Sequence, residues 1–354
     1  MLTFEDVELP IDANVKLGKR EPSNKPALML REFLTGTTPA VPTFVDHFSQ
    51  ATGWELGAND KFGTCGPTSV ANHRRLVTSA LLGAEQAPAL NDIFDLYRRS
   101  GNPKFDPNLS DTDPAQDDNG VDMQTMLEAL MKDGIGGVKP VAFAKIAPGD
   151  MDTLDKAIAL FGGILLGLTL KTAQQHQQVW DYVSGSADWG GHAVMAGKYN
   201  DPAGTDADRV DIVTWAKDVA MTRGFISQQE DEAWVVIWPE MLKDKTFLMG
   251  VDLPTLAGLF KSLTGSDLPL PVAPPVPAPV PVPAPTPAPA PAPTPVPAPV
   301  PTPIPAPTPV PAPVVDPVDH AHRGLIAALE RALARASLPA YLKNAAKAWL
   351  ALQK

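Results

Sequence analysis

The chain has 354 residues, 40 of them proline, a single cysteine and a formal net charge of −11. The length allows one large domain or two with a full core. The acidic balance excludes non-specific nucleic-acid binding by the main body, and one cysteine cannot close an internal disulfide, which fits a reducing compartment.

Met1-Leu2-Thr3-Phe4-Glu5-Asp6 lacks the basic and apolar regions of a signal peptide, so the expectation is a protein that is cytoplasmic as synthesised. Residues 1–45 alternate short apolar patches with proline and charge and read as an extended arm on the surface. A helix is predicted from Cys65 to about Leu82, and a second over Leu90–Tyr97. Gly101 to Gly120 is a polar, acidic loop. Its aspartates, read from Asp111, put Ala115 and Gln116 where a calcium loop needs an oxygen ligand and a glycine, so a metal site is not supported. Met123, Met126, Leu127, Leu130 and Met131 follow the i, i+3, i+4, i+7, i+8 rule of an amphipathic helix that ends at Gly134. Asp150 caps the next helix, with Leu154, Ile158 and Phe161 inward.

Four strands are predicted: Ile164–Leu170, Ala193–Tyr199, Arg209–Trp215 and Ala233–Trp238. The apolar run from Ile158 to Leu170 is broken by Gly162-Gly163 and is too short to span a bilayer. Leu253 to Leu263 is a final helix, stopped by Gly265. Helices first and an antiparallel sheet later make an α+β pattern. Of the 40 prolines, 24 fall between Pro269 and Pro317, almost every second residue. Neither helix nor sheet forms on such a run, and polyproline II would carry it to roughly 150 Å if straight. The tail 319–354 carries two helical stripes, Leu325-Ile326-Leu329-Leu333 and Leu338-Leu342-Ala345-Trp349-Leu352, and six basic against two acidic residues. The organisation expected is an arm 1–45, a domain 46–265, a proline spacer 266–318 and a helical tail 319–354. The tail is expected to dock on a protein partner or self-associate, with an anionic membrane surface as the alternative.

The chemistry centres on Gly63-Thr64-Cys65-Gly66-Pro67-Thr68-Ser69. Pro67 suits a first-turn position, so Cys65 stands at a helix N-terminus, where unpaired amides and the dipole favour a thiolate. The partner that shuttles its proton is His192, in Trp189-Gly190-Gly191-His192-Ala193-Val194-Met195 at the start of a strand. Cys65 and His192 lie far apart in the chain, so they need a fold that brings two halves together. His73 lies two helical turns past Cys65 and reads as structural, His176 falls in a polar loop, and His320 and His322 are too few for a metal site. No cofactor is implied.

Cys-Gly-Pro-Thr-Ser opening a helix, followed by Gly-Gly-His-Ala-Val opening a strand, resembles the papain-like cysteine peptidase superfamily, over about residues 45–262. The resemblance implies a two-lobed fold, a helical lobe with the cysteine facing a β lobe with the histidine, and peptide or isopeptide substrates. It implies Cys65 as nucleophile and His192 as acid and base. The family has an Asn that orients the histidine, two residues before a shielding Trp; with Trp215 in that place, the Asn position holds Val213. Asp211 or Thr214 stands in for it, or no third member exists. The family's oxyanion Gln, about six residues before the cysteine, falls on Asn59, which carries the same amide on a shorter arm. The domain–spacer–tail plan is similar to that of virion-associated or exported enzymes. Two other readings share these residues: a non-catalytic domain kept as a binding or structural component, and acyl transfer as in a cell-wall amidase or transpeptidase.

Overall fold

The computed structural model describes residues 15–35, 42–200 and 208–270. The start of the arm, the proline run from 271 and the tail for which two helical stripes are expected lie outside the described residues. In chain order the elements are β1 (Phe44–Asp46), α1 (Cys65–Leu82), α2 (Leu90–Arg99), α3 (Met123–Asp133), β2 (Ala142–Ile146), α4 (Met151–Phe161), β3 (Ile164–Lys171) and β4 (Val179–Trp180). They continue with β5 (Asp188–Asn200), β6 (Arg209–Thr214), β7 (Lys217–Thr222), α5 (Arg223–Gln229), β8 (Glu230–Ile237), α6 (Lys245–Gly250) and α7 (Leu253–Thr264).

The helix ends follow from their caps. Asp122, Asp150, Asp244 and Asp252 each accept the amide hydrogen three residues on, at the starts of α3, α4, α6 and α7. Gly83 and Gly265 close α1 and α7 in the left-handed conformation. The strands form one sheet in the order β2-β8-β3-β5-β6-β7-β4, with β1 also pairing β5. Every pairing is antiparallel except the short contact of β4 with β7. β3 runs between β8 and β5, and its Ile164–Leu168 segment is wholly buried, which is why it reads as an unbroken apolar run. α1 packs between α2 and α3 on one side and β5 on the other. From Cys65 to Thr78 it is therefore buried at every position except Arg75. The fold is α+β, with the cysteine on a helical half and the histidine on a sheet half, the two-lobed arrangement that the resemblance implied.

One expectation is corrected. Residues 15–35 do not lie wholly on the surface: Lys19, Leu28, Leu30 and Phe33 are buried, while Arg20, Glu21, Lys25 and Arg31 are exposed. Backbone bonds tie this segment to the body, from Lys145 N–H to Leu28 O and from Asp252 N–H to Phe33 O. β7 had no sequence signal because the β6–β7 turn is Trp215-Ala216, without the Gly, Asn or Asp that marks such a turn. Both residues take positive φ, 46° and 59°.

Candidate active site

The loop before α1 is braced from the acidic 101–120 segment. Asp118 Oδ1 accepts from Gly63 N–H (2.8 Å) and from the Tyr97 hydroxyl (2.5 Å), and Gly120 N–H donates to that hydroxyl (2.9 Å). Thr64 Oγ1 donates to Gly57 O. These bonds fix the N-terminus of α1, with Cys65 as its first residue. Ser69, one turn on, donates to Cys65 O (2.8 Å) and stands 3.1 Å from Ala193 O, tying α1 to β5.

The sulfur of Cys65 accepts from Ala193 N–H at 3.4 Å, the amide next to His192. Motif and strand, distant in the chain, thus meet. The amides of Gly18 and Gly66 also point at the sulfur. Cys65 is only 2% exposed. Burial pushes its thiol up to about 11, and the amide donors offset only part of that. His192 is 1% exposed, and burial brings its imidazole down to about 3. Thiol and imidazole are both neutral in this state.

His192 Nε2 is 2.7 Å from Thr214 Oγ1, and its ring lies flat on Trp215, 4.2 Å between centroids and 14° from parallel. Nδ1 is buried without a hydrogen-bond partner among the described residues. Register explains which of the two orienting candidates reaches the ring. Val213 pairs with Met195, so Thr214 stands diagonally across from His192 on the same face. Asp211 is directly opposite Lys198 and forms an ion pair with it at 2.5 Å. Asp211 is therefore not brought to the ring, which corrects that alternative. Trp215 is the first residue of the two-residue β6–β7 turn, whose positive φ places it beside Thr214 and over the imidazole.

Asn59 is brought to the cleft. Its Nδ2 donates to Phe62 O (3.0 Å) and reaches Lys16 O (3.4 Å), on which Trp215 Nε1 also converges (3.3 Å). His73 is structural, as its sequence position suggests: Nδ1 accepts from Trp238 Nε1, and Nε2 faces Phe161 O.

The residues that sequence reasoning missed belong to the arm. Residues 16–20 run through the cleft as a strap, hydrogen-bonded to both walls. Lys19 N–H donates to Gly191 O (2.9 Å) on the sheet side, while Arg20 N–H donates to Val121 O (2.8 Å) and Val121 N–H to Gly18 O (2.7 Å) on the helical side. Gly18 passes so close to the loop before α1 that a Cβ there would fall 2.2 Å from Gly63 O. The only sequence signal is that glycine.

No protein-family model and no curated protein matches the chain. Its fold is similar to that of solved papain-like cysteine proteases. Among them are xylellain, a cysteine protease from Xylella fastidiosa, at 15% identity over 64% of this chain and 97% of that one, with a TM-score of 0.49. Digestive procathepsin L 3 from the Tenebrio molitor larval midgut matches at 12% over 60% and 75%, with a TM-score of 0.45. Procathepsin B S9 from Trypanosoma congolense matches at 11% over 64% and 86%, with a TM-score of 0.46.

Thr214→Val keeps the side-chain shape and removes the hydroxyl, leaving His192 Nε2 buried without a partner. We expect a loss of about 1–3 kcal/mol of stability, read from denaturant unfolding at pH 7; an unchanged midpoint would show that the Thr214 contact contributes nothing to holding the ring.

Proposed function

We propose that the chain is a cysteine peptidase with Cys65 as nucleophile and His192 as general base and acid, held closed here by its own residues 16–20. The observation that carries this reading is the strap. An extended peptide backbone is hydrogen-bonded to both walls of the cleft, beside the one cysteine and beside a histidine whose Nδ1 is unused. A surface that holds a peptide in this way suits a peptide substrate.

Once the strap leaves and water enters, desolvation no longer opposes the charged pair. His192 Nδ1 takes the thiol proton while Thr214 holds Nε2. The thiolate attacks the scissile carbonyl carbon, and the oxygen that gains charge is met by the Cys65 amide at the α1 N-terminus, assisted by Asn59 Nδ2. The imidazolium returns its proton to the leaving amine, and water cleaves the thioester. Trp215 keeps solvent off the ring throughout.

A non-catalytic domain is the rival reading, favoured by the neutral thiol and imidazole of the closed state. The test is turnover of a fluorogenic peptide library by the full chain carrying Gly18→Ala, whose Cβ cannot coexist with Gly63. Hydrolysis that disappears in added Cys65→Ala and in added His192→Ala is the expected result. No turnover once labelling shows the cleft to be open would favour the rival.

A further inference from the structure

The side chain of Lys19 leaves the strap and enters a recess in the sheet half, where it is 1% exposed. The recess exists because residue 167 has no side chain: a Cβ on Gly167 would lie 2.4 Å from Lys19 Cε and 2.9 Å from Cδ. At its end Lys19 Nζ donates to Asp231 Oδ2 at 2.7 Å and stands 4.0 Å from Glu232 Oε1. Asp231 Oδ2 also accepts from Thr169 Oγ1 (2.8 Å), and Glu232 Oε2 accepts from Trp234 Nε1 (2.8 Å). Glu232 is 1% exposed, and its Oε1 has no hydrogen-bond partner among the described residues.

This is more carboxylate than a latch requires. One ammonium satisfies Asp231, while a second, buried carboxylate oxygen is left aimed at the cation and without a hydrogen bond, which is costly in a folded interior unless something else uses it. The recess lies beside His192, since Gly167 pairs with Ala193 and the Lys19 amide is bound by Gly191 O, the residues on either side of it.

We propose that this recess is a specificity subsite for a basic side chain, lysine or arginine, of the peptide substrate, and that Lys19 fills it as a stand-in. Gly167 gives the stem its space, and Asp231 and Glu232 read the charge. A guanidinium, with five donors, can engage both carboxylates. The assignment rests on the peptidase reading above, so its test reads binding and not turnover.

The test uses the full chain carrying Gly18→Ala, Lys19→Ala and Cys65→Ala, titrated calorimetrically with tetrapeptides that place lysine, arginine or norleucine at each position in turn. At one position the basic peptides are expected to bind about ten- to a hundredfold more tightly than the norleucine peptide. That preference should collapse on adding Glu232→Gln and Asp231→Asn. Equal affinity for lysine and norleucine at every position, or no binding of any basic peptide, overturns the subsite and leaves Lys19 as a latch. A second measurement guards against a misfolded multiple variant. n-Butylammonium should raise the melting temperature of the Lys19→Ala chain where n-butanol does not, and equal effects of the two would count against the recess. Basic peptides that bind this variant and are left uncleaved by the Gly18→Ala, Lys19→Ala chain with Cys65 intact would keep the subsite and retire the peptidase.

Discussion

Displacing the strap with Gly18→Ala should raise the alkylation rate of Cys65 by iodoacetamide at pH 7 by about two to three orders of magnitude. The thiolate is the species that reacts. With the thiol at about 11 in the closed state, roughly one molecule in ten thousand carries a thiolate at pH 7. A solvated thiol near 8.5 carries a few per cent, and the difference is the expected gain before any change in access. The sign can be followed with pH. In the wild-type chain the rate keeps rising through pH 9 and 10, because the group stays protonated until about 11. In the open chain the rate reaches its plateau at lower pH, and lower still if His192 takes the proton. Adding His192→Ala should move that plateau back toward the range of an ordinary thiol. Intact mass over time reads all three proteins. A wild-type chain that labels as fast as a free thiol would mean that the strap does not close the site, and an open chain indifferent to His192→Ala would mean that no pair forms.

What the sequence disclosed and what it hid divide along the line between local and paired structure. Cys65 at a helix start is legible because Pro67, the apolar spacing after it and Gly83 are all local signals. His192 on a strand is legible for the same reason. The choice between Asp211 and Thr214 was not legible, because it depends on which residue of β5 each one faces. A sequence gives the alternation of a strand but not its register: Lys198 opposite Asp211 removes one candidate, and Met195 opposite Val213 sets the other across from His192. The strap was hidden more deeply. Gly18-Lys19-Arg20 is short, polar and without periodicity, and it is ordered by backbone bonds to Val121 and Gly191 on two walls, both remote in the chain. Asp118 belongs to the same class: an acidic residue in a loop of acidic residues, distinguished only by the Gly63 amide it meets.

Acidification should destabilise the protein well above the range where most carboxylates titrate, because its buried histidines are neutral. His73 is held down to about 4 and His192 to about 3, against 6.5 for a free imidazole. Burial is the first cause in both. In His73 a proton on Nδ1 would also set one N–H against another, that of Trp238 Nε1. The unfolded chain therefore binds more protons than the folded one between the two values. This stability is fully present above pH 6.5 and is lost as pH falls below it, at about 1.4 kcal/mol per pH unit for each group. From pH 7 to pH 5 each histidine withdraws about 2 kcal/mol. His47, also lowered by burial, acts in the same direction. Glu230 opposes them: burial and the neighbouring Asp231 push its carboxyl up to about 7, so the folded state gains protons on acidification. It is partly open to solvent, and its offset amounts to no more than about one histidine. Burial also raises the carboxyls of Glu232 and Asp218, which act with Glu230, so the net expectation is a loss between pH 7 and pH 5 smaller than that of the two histidines alone, read as a lower urea midpoint at constant m-value. Glu230→Gln removes one opposing group, so it should raise stability at pH 7 and steepen the loss toward pH 5. A midpoint that stays flat from pH 7 to pH 5 in both proteins would mean that the two rings are not buried as neutral imidazoles.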